Sequence, residues 1–311
     1  MINYNISFII STRNRAALLK GCLDALIKQD NIEKDNYEII VVDNGSGTTD
    51  TKQVVDSLQR RFKHMKYVYQ EKLGLSIARN TGVKYAAGDL ICFLDDDTIP
   101  DKNYIWEIIL SFKTHDIACL GGKIIAAWPQ ETPPAWFNEK FGDIVGETPF
   151  GNESRFMRKD EFPFGGNIVF KKEIFQKFNG FNENLGRKGN NYITGEEMDL
   201  CYKLQEKGYK FFYNHKAVVF HVVGENRASK KYFLDSTFGK GITLAYLKRN
   251  NKSFLIFASS FFIKLFFVLF SYITLSLRNL SEKEKFKLKC IISSNLGYFY
   301  AVLLGLDLGD L

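Results

Sequence analysis

A chain of 311 residues is long enough for one large domain with an appended segment, or for two ordinary domains, and needs no staples to hold a core. Its 42 Lys and Arg against 35 Asp and Glu leave a net charge of +7, and its five cysteines, Cys22, Cys92, Cys119, Cys201 and Cys290, are odd in number and lack the paired spacing of zinc sites or redox motifs. They read as reduced, mostly buried thiols of a cytosolic protein, and Met1 to Asn5 carries neither the basic region nor the cleavage site of an export signal.

From the start to about residue 120, short apolar runs alternate with longer amphipathic stretches, the pattern of a parallel sheet covered by helices. Ile6 to Ile10 is predicted as a strand and Arg15 to Ile27 as a helix. Tyr37 to Val42 is the second strand, Asp50 to Phe62 the second helix and Met65 to Tyr69 the third strand. A helix over Ser76 to Ala86, a strand over Leu90 to Leu94 and a helix over Lys102 to Phe112 follow. Each strand ends in polar residues, at the edge where open α/β sheets bind ligands. The stretch from Ala126 to Phe164, with Pro129, Pro133, Pro134, Pro163, Trp128 and Trp136, has no sustained period and reads as an ordered functional loop region. A strand over Asn167 to Phe170, helices over Lys171 to Phe178 and about Glu196 to Lys207, and strands near Lys210 to Tyr213 and Ala217 to His221 complete this part. The division predicted is 1–226, with a nucleotide-binding half over 1–125 and an acceptor half over 126–226, then a helical segment over 227–311.

Positive charge is concentrated in that last segment. Arg227, Lys230, Lys231, Lys240, Lys248, Arg249, Lys252, Lys264, Arg278, Lys283, Lys285, Lys287 and Lys289 face only Asp235, Glu282 and Glu284. The segment also holds an apolar run, Phe254 to Leu277, and a weaker one, Cys290 to Leu306. The first run is long enough to cross a bilayer core as a helix. A hairpin starting inside would leave the Lys283 to Lys289 loop outside, and Lys264 near the bilayer centre would cost about 3 kcal/mol. The favoured expectation is therefore helices lying in the interface, with their lysines on anionic head groups at the cytoplasmic face of the membrane. A spanning pair, or an apolar pair packed on the domain or in an oligomer, stays open. Nucleic acid is the poorer anion, because the lysines alternate with aliphatic runs and not with stacking platforms.

Asp95-Asp96-Asp97 follows the strand Leu90 to Leu94. Adjacent carboxylates stay ionised together only where a cation or full solvation compensates them, and a hard divalent cation shared with a diphosphate suits that place. Asp43-Asn44-Gly45-Ser46 closes the second strand: the acid can accept hydrogen bonds from a base or ribose, although the same four residues make an ordinary turn. Ser11-Thr12-Arg13-Asn14-Arg15 closes the first strand with hydroxyls, a helix N-terminus and guanidinium groups, suited to phosphate or to a cap with solvated arginines.

At these residues the chain resembles the inverting family 2 glycosyltransferases of the GT-A fold. The resemblance runs in order through Ser11-Thr12-Arg13-Asn14-Arg15, Val41 to Ser46, Gly74-Leu75-Ser76-Ile77-Ala78-Arg79-Asn80 and Phe93-Leu94-Asp95-Asp96-Asp97, and extends over about the first 225 residues. It implies a Rossmann-like mixed α/β sheet flanked by helices, followed here by the apolar and basic helical extension. It also implies donor nucleotide contacts from Ser11, Thr12, Arg15, Asp43, Gly74, Arg79, Asn80, Asp95 and Asp96, and a Mn²⁺ or Mg²⁺ ion on Asp97 with Asp95 and His221. Phe164-Gly165-Gly166-Asn167 and Phe178-Asn179-Gly180-Phe181 resemble the acceptor-side segment, so Gly165, Gly166 and Asn167 are expected near the acceptor. Trp136 joins them if it stacks on a sugar and does not simply pack its loop. Gly195-Glu196-Glu197-Met198-Asp199 corresponds to the family's Glu-Asp-x-Asp motif, but the acid assigned as base is here Glu197 and not an aspartate. Asp199 and Glu196 are the fallback bases.

The implied reaction moves a sugar from a nucleotide diphosphate sugar, expected to be a UDP-sugar, onto a hydroxyl of a glycan or lipid-linked saccharide with inversion, as in polysaccharide synthesis. Arg79 and the metal would neutralise the leaving diphosphate while Glu197 takes the acceptor proton. Two alternatives are a sugar nucleotidyltransferase, which would want a glycine-rich, lysine-bearing loop after the first strand, and a catalytically silent partner in a membrane polysaccharide assembly.

Overall fold

The computed structural model describes residues 5–189, 191–251, 254–277 and 279–305, with the backbone alone for 248–251, 254–262 and 277. Lys248, Arg249, Lys252, Arg278, Leu306 and the opening Met1 to Tyr4, all used in the sequence reading, lie outside the residues described in full. The chain forms two compact units that are not separated by a single cut near residue 226. One comprises 1–127, 146–183 and 196–222, and the other 128–145, 184–195 and 223–311.

The first unit is built on one mixed sheet. Its strands are β1 (Ile6–Thr12), β2 (Tyr37–Asp43), β3 (Met65–Tyr69), β4 (Leu90–Asp95), β5 (Thr98–Pro100), β6 (Cys119–Ala127), β7 (Arg155–Phe156), β8 (Asn167–Lys171) and β9 (Phe211–Val222). Its helices are α1 (Ala16–Ile27), α2 (Asp50–Gln59), α3 (Leu75–Tyr85), α4 (Tyr104–Thr114), α5 (Glu173–Phe178) and α6 (Glu196–Glu206). The spatial order is β3-β2-β1-β4-β8-β6-β9-β5, with β7 on β9. The first four neighbours run parallel, β8 runs antiparallel to both β4 and β6, and β6 pairs parallel with β9.

Because successive side chains of a strand point to opposite faces, a continuous apolar strand serves two helical layers. Phe8, Ile10, Ile39, Val41, Leu90 and Cys92 share one core with Leu19 and Leu23 of α1, Val55 of α2 and Ile105 of α4. Ile9, Ile40, Val42, Ile91 and Phe93 share the other with Ala78 of α3, Ile174 of α5 and Leu200 of α6. All five cysteines are buried free thiols. The predicted elements before residue 115 are present with ends shifted by a few residues. Three strands escaped prediction: β5, the two-residue β7 inside the stretch read as a loop, and β6, whose apolar run is broken by Gly121-Gly122. Those glycines are close-packing residues here, because a Cβ at Gly121 would press on the Pro163 ring and one at Gly122 on the Asn167 amide and the Ala217 carbonyl. The two strands predicted near 210–213 and 217–221 are one strand, β9, whose pairing with β6 shifts register at Gly122/Lys123.

The second unit contains α7 (Lys230–Asn251), α8 (Phe254–Leu277) and α9 (Glu282–Leu303), with a short helical turn over Glu139–Val145. Ser281 and Glu284 form a capping box at the start of α9. Helices α7 and α9 approach closely because the contact is made at glycine: a Cβ on Gly241 would overlap the Ser294 carbonyl, and one on Gly297 the Phe238 carbonyl. Lys264 of α8 donates to Asn295 Oδ1 at 3.1 Å and lies 4.8 Å from the Tyr298 ring centre. Much of the basic charge is locally paired, Lys240 with Asp143, Lys283 with Glu139, Lys230 with Glu282 and Lys231 with Asp235. On α8, Phe266, Leu269, Phe270, Tyr272 and Ile273 are exposed. Among the described residues no helix is long and apolar enough to cross a membrane.

Candidate active site

The polar ends of the first unit's parallel strands come together because their registers align. Thr12 is opposite Asp43, and Ser11 is opposite Asp95, so β1, β2 and β4 deliver three motifs to one edge of the sheet. The chain must turn sharply there, and Gly45 (φ 71°) and Gly74 (φ 145°) supply conformations that other residues rarely adopt. Asn44 holds these turns together, donating to the carbonyls of Gln70 and Lys72 and accepting from the Gly74 amide at 2.8 Å.

Asp43 is buried and accepts from the Ser46 amide and the Tyr67 hydroxyl, both at 3.0 Å. Tyr67 was not singled out in the sequence, although it faces Asp43 from the neighbouring strand. Burial and the Asp43 charge push its phenol up to about 12, so it stays a donor. Thr12 donates to Asp96 at 2.7 Å, and Arg15 reaches Asp96 and Asp97 at 2.5 Å each. Burial, reinforced by the Asp97 charge, pushes the Asp96 carboxyl up to about 7, against the pull of Arg15. The Ser11 hydroxyl is buried at the same edge with no hydrogen-bond partner among the described residues.

His221 on β9 is brought beside the acids because β5, which directly follows Asp97, pairs with β9 at Thr98 and His221. Its Nε2 stands 3.2 Å from Asp97 Oδ1, and both side chains are buried. A carboxylate next to an imidazole suits a divalent cation such as Mn²⁺, which would complete its shell with diphosphate and water oxygens. The residues therefore fit such an ion through two ligands. Asp95, expected as a third, is drawn to Arg79 at 3.3 Å, and no group of three or more His, Cys, Asp or Glu able to hold a metal occurs among the described residues.

Arg79 differs most from expectation. Instead of opening towards a diphosphate it is sealed inside the unit, 3% exposed, with its guanidinium 5.7 Å and 5.8 Å from the ring centres of Phe93 and Phe181. It donates to Glu196 Oε1 at 2.7 Å, to the Gly165 carbonyl at 2.9 Å and to Asp95 at 3.3 Å. Asn80, expected on the nucleotide, spends its amide on the backbone of Phe181, donating and accepting at 2.9 Å, and so clamps the turn at Gly180 (φ 77°). The acceptor-side glycines also serve packing, since a Cβ at Gly165 would meet the Arg79 guanidinium and one at Gly166 the Asp95 carboxylate. Asn167, expected near the acceptor, is buried, donating to the carbonyls of Lys123 and Ala217 and accepting from Tyr104 at 2.7 Å, and so pins the sheet. Trp136 belongs to the helical unit, its ring edge-on to Phe233 and Phe286.

The acid motif occupies the head of α6. Glu196 is buried against Arg79, and Asp199 is tied to Lys203 at 2.6 Å. Glu197 is partly exposed, yet its Oε2 is buried and, like Glu196 Oε2, has no hydrogen-bond partner among the described residues. Burial and the adjacent Glu196 charge push the Glu197 carboxyl up to about 8, which Arg79 opposes. Of the three acids, Glu197 is the one without an ion pair among the described residues.

The family model described as Glycosyl transferase family 2 matches residues 7–178, more than half of the chain. Among curated proteins the chain is similar to glucosyl-dolichyl phosphate glucuronosyltransferase of Haloferax volcanii, 29% identical over 175 residues, 55% of this chain and 55% of that protein. It is also similar to validoxylamine A glucosyltransferase of Streptomyces hygroscopicus, 39% identical over 230 residues, 65% of this chain and 52% of that one. The matches thus span about half the length of these relatives. Among solved structures it is similar to a mannosyltransferase from Pyrobaculum calidifontis in complex with GDP-Man and Mn²⁺, with a TM-score of 0.66 at 15% identity over 99% of this chain and 89% of that one. At that identity the likeness is one of fold.

Proposed function

The chain belongs to glycosyl transferase family 2 and carries the GT-A fold, and from that premise we propose that it is an inverting glycosyltransferase acting on a nucleotide diphosphate sugar. The observation that carries the proposal is the convergence on one guanidinium: Arg79 joins Asp95, from the acidic run at the strand ends, to Glu196, which directly precedes Glu197, the proposed base. Donor-side and acceptor-side motifs far apart in sequence therefore meet at one place.

In this reading Asp43, held by Ser46 and Tyr67, accepts hydrogen bonds from the base, and Thr12 and Arg15 set the acids around the ribose and diphosphate. Asp97 and His221 would hold a Mn²⁺ or Mg²⁺ ion, which supplies positive charge for the diphosphate leaving group. Arg15, and not Arg79, is the guanidinium paired with Asp97, which would hold that ion. Glu197 takes the proton of the attacking hydroxyl, so the oxygen displaces the diphosphate in one step and configuration inverts. The acceptor we propose is a glycan or a lipid-linked saccharide. The relative whose printed name contains a dolichyl phosphate supports a lipid-linked acceptor, and so does the exposed apolar face of α8. That face, with Lys285, Lys287 and Lys289 nearby in sequence, would rest on an anionic membrane at its cytoplasmic face.

A panel of UDP-, GDP- and dTDP-sugars tests the donor half, read by thermal shift and by nucleotide release with and without Mn²⁺. A UDP-sugar stabilising the protein only with the cation is the expected result. Stabilisation by none of them would overturn the reading.

A further inference from the structure

Arg79 spends its donors on three different elements: Asp95 at the end of β4, the Gly165 carbonyl ahead of β8, and Glu196 at the head of α6. The rings of Phe93 and Phe181 flank the guanidinium, so its bonds to Glu196 and Gly165 are made away from water, where charge-assisted pairs are strong and a missing partner is costly, while Asp95 is partly exposed. Directly after Glu196 comes Glu197. Each of the two glutamates has one buried oxygen without a hydrogen-bond partner among the described residues. Of these two adjacent carboxyl groups, only Glu196 is bonded to the guanidinium among the described residues.

We propose that Arg79 and Glu196 are a positioning pair for Glu197, in which the guanidinium anchors the head of α6 to β4 and to the Gly165 turn while the Glu196 charge sets how tightly Glu197 holds the proton it receives. The inference rests on the reading of Glu197 as the base. Like charges at one buried site cannot all be ionised at little cost, so the carboxyl without its own cation takes up a proton more readily. Glu197 is pushed up to about 8 by burial and by Glu196, and a proton acceptor is most effective when its affinity lies near the working pH. The charges that act on Glu197 are Glu196 on its own helix, which raises its proton affinity, and Arg79 from α3, which lowers it. Asp95 acts on it only through Arg79, and Asp199 is occupied by Lys203.

The pair is tested without any substrate by following the protonated-carboxyl band of Glu197 in infrared difference spectra against Glu197→Gln as pH is raised. In Glu196→Gln, which keeps the shape and removes the charge, the midpoint should fall by about one pH unit or more. In Arg79→Lys it should rise, because an ammonium cannot reproduce the fork that serves Glu196, Asp95 and Gly165 together. Circular dichroism checks that both variants are folded, and Glu196→Gln suffices if Arg79→Lys is not. An unchanged midpoint in folded Glu196→Gln overturns the pair. The reading of the base fails separately, if Glu197→Gln transfers sugar at the parental rate.

Discussion

In the sheet-based unit the interior carries charge, and in the helical unit the surface carries apolar side chains. Arg79, Asp96, Asp97, Glu196 and His221 are each under a tenth exposed, whereas Ile263, Phe266, Leu269, Phe270, Tyr272 and Ile273 are each more than half exposed. Both arrangements cost stability in water: several kcal/mol for each buried ion, and about 25 cal/mol for each Å² of apolar surface left wet. The buried charges are compensated, Asp96 and Asp97 by the partly exposed Arg15, and Arg79 by the buried Glu196 and the partly exposed Asp95. The apolar side chains of α8 have no such counterpart among the described residues. A cost met from within marks a built site, and a cost left open marks a surface made for contact with something else.

The sharpest way to break this comparison is at the one acid the network leaves uncommitted. Glu197→Gln should lower sugar transfer by about 10³-fold, within the usual range for removing a general base, while calorimetry still detects binding of UDP with Mn²⁺. Asp97→Asn attacks the compensated side. It should weaken cation-dependent UDP binding by at least about 10–100-fold, the loss that even outer-shell changes cause at metal sites, and a parental binding isotherm would remove Asp97 from the ion.

On the apolar side the expected effect is smaller. A phenylalanine moved from water into a lipid interface contributes about 1.5–3 kcal/mol when fully buried, so Phe266→Ser and Phe270→Ser should each reduce partitioning onto phosphatidylglycerol-containing vesicles by about tenfold. Flotation with such vesicles measures it. Parental flotation of the double variant would show that this face is not what meets the bilayer.

The sequence was legible where local pattern and tertiary role coincide. β1, β2 and β4 are mainly apolar runs closed by polar residues, and their motifs lie at one edge because parallel neighbours in register must end together. β6 was not legible, since Gly121-Gly122 reads as a turn in a chain taken alone and becomes a close contact only when Pro163 and Asn167 arrive from 40 residues away or more. The same limit explains Arg79, Asn80 and Asn167. Their residue types suit a ligand as well as a packed interior, and the partners they find here, Phe93, Phe181 and Tyr104, come from other parts of the chain. Trp136 followed the ordinary preference of an aromatic ring for other rings.

Tyr67 gives the finest test, because it separates holding the donor from reacting with it. Its hydroxyl donates to Asp43 Oδ2, and the Ser46 amide holds the other oxygen, so the carboxylate is oriented by two bonds of equal length. Tyr67→Phe removes one of them. A hydrogen bond to a charged group contributes about 1.5–3 kcal/mol, but Tyr67 is partly exposed and water can replace much of it, which leaves a weakening of UDP binding of about threefold to tenfold. The effect should not vary with pH below about 11, since the phenol holds its proton up to about 12. It should fall on the KM for the donor and leave kcat unchanged, because Asp43 is proposed to touch the base and not the reacting carbon. A fall in kcat of the same size would mean that the placing of the base is transmitted to the diphosphate, and that Asp43 and the acids of β4 act as one unit.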